Sequence, residues 1–88
     1  MDQKYHLFYE LAYNLAQVAY DQDEVPVGAV IIKDSTFEVI SSSYNQMKQN
    51  HSSLDHAEML ALKIAMTRLD NQRLNGCSMI TTLEPCPM

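Results

Sequence analysis

The chain of 88 residues has room for one domain, and its 47% hydrophobic and 19% charged residues describe a globular chain rather than a disordered one. A formal charge of −5 excludes a broad basic footprint for nucleic acid, and no apolar run approaches the ~18 residues of a membrane span. Two cysteines are too few for a disulfide framework, and the first residues lack the apolar core of a secretory signal, so the expected setting is soluble, reducing and cytoplasmic.

Residues 3 to 20 read as an amphipathic helix. Phe8, Leu11, Ala12, Leu15 and Ala19 recur on one face, with Asp2 placed to cap the start. The acidic stretch Asp21 to Glu24 breaks that pattern. Val27 to Ile32 is short, apolar and β-branched, which favours a strand covered on both sides. Gly28 inside it marks a close backbone approach, either to a ligand or to a crossing helix. Lys33 to Thr36 is turn-like, and Phe37 to Ser42 returns as a second strand, completing a hairpin. Ser41 to Asp55 is polar and aperiodic, the pattern of a long and functional loop.

A second helix is expected over His56 to Leu69. One stripe holds Ala57, Leu60, Ala61, Ile64 and Ala65, and a neighbouring one Met59, Leu62, Met66 and Leu69. Such a helix needs cover on more than one side. Asn71 to Gly76 reads as a turn and Cys77 to Leu83 as a third strand. Strand, helix and strand in this order predict a parallel pairing of the first and third strands, and so a mixed sheet. Cys77 opens a strand and reads as a small buried hydrophobe, while His6 and His51 read as surface residues.

Two short segments carry the chemistry. The first is His56-Ala57-Glu58 at the start of the second helix, and the second is Glu84-Pro85-Cys86-Pro87-Met88 after the third strand. An imidazole at a helix start and a thiol just past a strand suit zinc, whose catalytic sites take three protein ligands and keep one position for water. The positive end of a helix beginning at Cys86 would favour the thiolate. Glu58 lies two residues past His56 and projects elsewhere around the helix, as a proton shuttle beside a metal would. Either segment alone has a plainer explanation. Asp55 to Glu58 fits a capping box, and a cysteine between prolines is commonly a packed thiol. It is their combination that is specific.

Together these segments resemble the H-x-E…P-C-x-x-C signature of the cytidine and deoxycytidylate deaminase superfamily. Within it the chain looks most like the tRNA-specific adenosine deaminases of bacteria, a likeness that includes Glu24-Val25-Pro26-Val27-Gly28-Ala29-Val30, Asn45, His56-Ala57-Glu58-Met59 and Thr82-Leu83-Glu84-Pro85-Cys86-Pro87-Met88. Glu24 to Val30 is the segment that favours the tRNA enzymes, since relatives acting on free guanine share much of the Glu84-Pro85-Cys86 end. The resemblance implies that His56 and Cys86 ligate one zinc ion, that Glu58 is the general acid and base, and that Asn45 contacts the target base. Without the family, Asn45 would be an ordinary loop residue. The resemblance also implies a tRNA anticodon loop as substrate, deaminated from adenosine to inosine at the wobble position, and a homodimer. Ser52-Ser53-Leu54-Asp55 departs from the family's usual Asp-Pro-Thr-Ala.

The fold expected is α/β, a cytidine deaminase-like three-layer α/β/α arrangement. Residues 1–88 would form a partial deaminase domain with a three-stranded mixed sheet and two main helices. A second cysteine ligand is expected beyond Met88, as are further strands and helices. This chain alone is therefore expected to hold zinc weakly, to leave the edge of its third strand open to self-association, and to be impaired in activity. Two other readings share the same residues: a deaminase of free nucleobases or nucleosides of the guanine or cytosine type, and an inactive remnant of the fold.

Overall fold

A computed structural model describes residues 5–47, 56–69 and 75–83. Helix α1 runs His6–Asp21, strand β1 Val27–Lys33, strand β2 Glu38–Tyr44, helix α2 Ala57–Leu69 and strand β3 Cys77–Leu83. These are the elements expected from the sequence, with β2 extending two residues further into the segment read as a loop. The expected caps Asp2 and Asp55, as well as His51, lie outside the described residues.

The strand order is β2-β1-β3, with β1 in the centre. Both pairings of β1 are antiparallel, with Ala29 opposite Ser43 on one side and Thr81 on the other. The expected parallel pairing of the first and third strands is therefore incorrect, and the described sheet is not mixed. The physical reason is local. The strand that feeds α2 is β2, not β1. The crossover therefore joins β2 to β3, which run parallel to each other and flank the central strand.

Each face of the sheet carries one helix. Val30 and Ile32 of β1 and Ile80 of β3 pack beneath α1 with Ala12, while Phe8, Leu11 and Leu15 cover the margin. On the opposite face Ala29 and Ile31 of β1 and Ile40 of β2 pack beneath Ala57, Ala61 and Ala65 of α2. This alternation along β1 is the strand period of two, and the result is a three-layer α/β/α sandwich. Small side chains recur on the buried helix faces. Ala12, Ala16 and Ala19 of α1 and Ala57, Ala61 and Ala65 of α2 are all fully buried, so both helix backbones lie close to the sheet. Met59, Ile64 and Met66 of α2 are exposed, so the inner cover of this helix is narrower than its two apolar stripes imply.

Helix α1 ends in a Schellman turn. Asp23 adopts φ 63°, the Asp23 N–H donates to Tyr20 O at 3.0 Å and the Glu24 N–H to Ala19 O at 2.9 Å. The turn delivers Glu24 to a buried position immediately before β1.

Candidate metal and active site

The start of β1 and the ends of β2 and β3 meet at one end of the sheet. Val27 pairs with Leu83, and Gly28 with both Tyr44 and Thr82. Past Tyr44 the chain continues one step in register, as the Asn45 N–H donates to Val27 O at 3.1 Å. The Asn45 side chain then reaches α2, where its Oδ1 accepts the Ala57 N–H at 2.7 Å in a buried bond. The start of α2 is thereby brought to the same end of the sheet as the last residue of β3.

His56 occupies the cap position of α2. Its carbonyl accepts the Leu60 N–H at 2.9 Å, and the residue is exposed. Glu58 is exposed in the first turn of the same helix. Cys86 lies outside the described residues, three positions beyond Leu83. Among the described residues no cluster of three or more His, Cys, Asp or Glu side chains forms a complete metal site. The donor chemistry nevertheless suits zinc, since an imidazole and a thiol are borderline-soft donors of the kind that ion takes. Of the other candidates, Cys77 is half-buried against the α2 core and pairs with Lys33 at the far end of the sheet. His6 is exposed on α1, 4.0 Å from Glu10. Neither belongs to this site.

Asn45 is the residue whose placement adds most to the sequence reading. It is 2% exposed and caps a helix rather than decorating a loop. Sequence reasoning assigned that cap to Asp55. No local signal marks that role, because the strand read from sequence ends at Ser42 and leaves Asn45 in a loop; its burial appears only in the fold. Ser41 and Ser43 were also missed. Both are buried, and Ser41 Oγ donates to the Ala61 carbonyl of α2 at 2.7 Å. A concavity of about 430 Å³ lined by Tyr9, Glu10, Tyr13, Asn14 and Thr82 lies on the α1 side and is separate from His56.

Comparison with known proteins agrees with this arrangement. The tRNA-specific adenosine deaminase of Aquifex aeolicus is 43% identical over 81 residues, which cover 92% of this chain and 52% of that protein. A solved structure from studies of A-to-I editing by tRNA:A34 deaminases at the wobble position of transfer RNA superposes with a TM-score of 0.84. It is 37% identical, and the match covers 94% of this chain and 62% of that one. The guanine deaminase of Bacillus subtilis superposes with a TM-score of 0.78 at 30% identity, covering 99% of this chain and 54% of that one. The chain thus spans about half the length of the tRNA-specific adenosine deaminases it matches. Residues 2–88 match the family described as the cytidine and deoxycytidylate deaminase zinc-binding region, and the chain belongs to that family.

Proposed function

We propose that this chain is the zinc-binding part of a tRNA adenosine deaminase, which hydrolyses adenosine to inosine at the wobble position of an anticodon loop. The observation that carries this reading is the likeness to tRNA-specific adenosine deaminases across nearly the whole chain, at 43% identity to one of them. It is supported by the start of α2 and the end of β3 sharing one end of the sheet. His56 and Cys86 are the proposed ligands of one zinc ion, with a further protein ligand supplied beyond this chain. Zinc bound there would acidify its water and make it an effective nucleophile near neutral pH.

Glu58 then accounts for the proton transfers. Its carboxylate takes a proton from the attacking water and delivers it to the purine ring nitrogen beside C6. The same carboxyl group carries the second proton to the departing amine, so that water is consumed, ammonia leaves and the carboxylate is regenerated. The target base must be splayed out of its stack to reach this group. With a net charge of −5 on this chain, the phosphates of the anticodon loop are met by a local patch or by surface outside residues 1–88. The protein is proposed to act as a homodimer in the cytoplasm, and none of its described helices is long and apolar enough to cross a membrane.

A second reading is favoured by the superposition on a guanine deaminase, namely hydrolysis of a free nucleobase or nucleoside. One experiment separates the two. Zinc-supplemented protein is incubated with an anticodon stem-loop carrying adenosine at the first anticodon position, and in parallel with guanine, cytosine and their nucleosides. Inosine in the stem-loop, reduced at least about 100-fold in Glu58→Gln, supports the tRNA reading. Ammonia released from a free base with no inosine supports the second. Neither product would identify an inactive remnant of the fold.

A further inference from the structure

Asn45 is held at both ends by different elements. Its N–H is tied to Val27 O at 3.1 Å and its Oδ1 receives the Ala57 N–H at 2.7 Å, with the whole residue 2% exposed. The orientation of the amide follows from this bond, because only the carbonyl end accepts from a backbone N–H. The first amides of a helix have no partner within the helix, and the cap residue's own side chain normally serves one of them. In α2 the cap position is His56. An imidazole committed to a metal is not available for capping, so a residue from the strand end takes over.

We propose that Asn45 is a positioning residue for the first turn of α2: it clamps the Ala57 amide to the start of β1 and so sets where His56 and Glu58 project. The proposal rests on reading His56 as a zinc ligand and Glu58 as the acid and base. It differs from contact with the target base, the role that family resemblance gives this side chain. A base contact works through the bound substrate, whereas the clamp acts in the substrate-free and metal-free protein.

Three variants distinguish the roles. Asn45→Ala removes the clamp. Asn45→Asp keeps an acceptor oxygen in the same place and removes the amide donor. Ser41→Ala removes a different strand-to-helix bond, from Ser41 Oγ to the Ala61 carbonyl, and leaves the first turn alone. Two readouts are taken without substrate: hydrogen exchange of the Ala57 amide in metal-free protein, and zinc affinity by competition with a chromogenic chelator. Partners that orient a metal ligand are commonly worth 10–100-fold in affinity, so Asn45→Ala is expected to weaken zinc by about that factor. It should also speed Ala57 exchange at least about tenfold, while Asn45→Asp and Ser41→Ala stay within about threefold of the parent on both readouts.

Unchanged Ala57 exchange in Asn45→Ala overturns the proposal. So does unchanged zinc affinity despite faster exchange, since the clamp would then be structural only. An Asn45→Asp variant as damaged as Asn45→Ala also overturns it, and Asn45→Asp alone decides the matter if Asn45→Ala does not fold. Zinc affinity of the parent left unchanged by His56→Ala, with the exchange pattern as expected, would overturn the metal reading of His56 and leave the clamp standing.

Discussion

Gly28 lies where α1 crosses β1. A Cβ there would overlap the Ala12 carbonyl oxygen and sit 2.8 Å from Leu15 Cβ and 2.9 Å from Ala16 N. The close approach that its position in a strand implied is therefore to a helix backbone. Backbone atoms cannot swing aside, so Gly28→Ala is expected to cost about 3 kcal/mol, read as a lower urea midpoint at unchanged slope. Phe37 poses the opposite problem. It ends the β1–β2 turn at φ 58°, a conformation that disfavours a residue with a Cβ. It is kept there by packing, stacked on Phe8 with centroids 6.2 Å apart and edge-on to Tyr5 at 5.8 Å. Alanine would forfeit the ring contacts and retain the backbone strain, while glycine would forfeit the contacts and relieve it. Phe37→Gly is thus expected to be more stable than Phe37→Ala by about 1 kcal/mol in chemical denaturation, the reverse of the ordinary ranking. Nothing local in the sequence marks Phe37 for this role, because its partners lie at and just before the start of α1, about thirty residues earlier.

At the scale of elements, the pairing of β2 with β1 contains a bulge. Ile31 pairs with Ser41 and Ile32 with Val39, so Ile40 has no opposite partner. The extra residue lets Ile40 and Ser41 both serve the α2 face, Ile40 as core and Ser41 as donor to the Ala61 carbonyl. It also disturbs the ladder at the Ile40 carbonyl, which accepts from the Arg68 guanidinium at 2.9 Å. Arg68→Ala is expected to destabilise the protein by about 1–2 kcal/mol, since it removes a charged donor from a partly buried carbonyl, and thermal denaturation would show it. The bulge was not legible from sequence. Phe37 to Ser42 reads as a plain strand that runs into a polar loop from Ser41, and only pairing with β1 reveals a strand with one residue too many. The helices were legible for a complementary reason. Their apolar periodicity is local, and it placed both to within three residues at each end.

Across the whole molecule, α2 covers one face of the sheet and α1 the other, while the proposed ligands come from α2 and from the chain after β3. A ligand shared between distant segments should couple its binding to folding. Zinc at about ten times its dissociation constant is expected to add about 1.4 kcal/mol of stability, seen as a raised melting temperature. His56→Ala and Cys86→Ser should each abolish that increment. Cys77→Ser should preserve it, because Cys77 pairs with Lys33 at the opposite end of β1. Sequence by itself determined the elements and the family, and it supplied the residues proposed to carry the chemistry, since helical and strand periods and the His-x-Glu and Pro-Cys segments are all properties of short stretches. Tertiary structure alone decided that β1 is central and antiparallel to both neighbours, that Gly28 admits a helix, and that Asn45 holds the first amide of α2. Those outcomes depend on which strand edges and which buried polar groups find each other, and such partners are far apart along the chain.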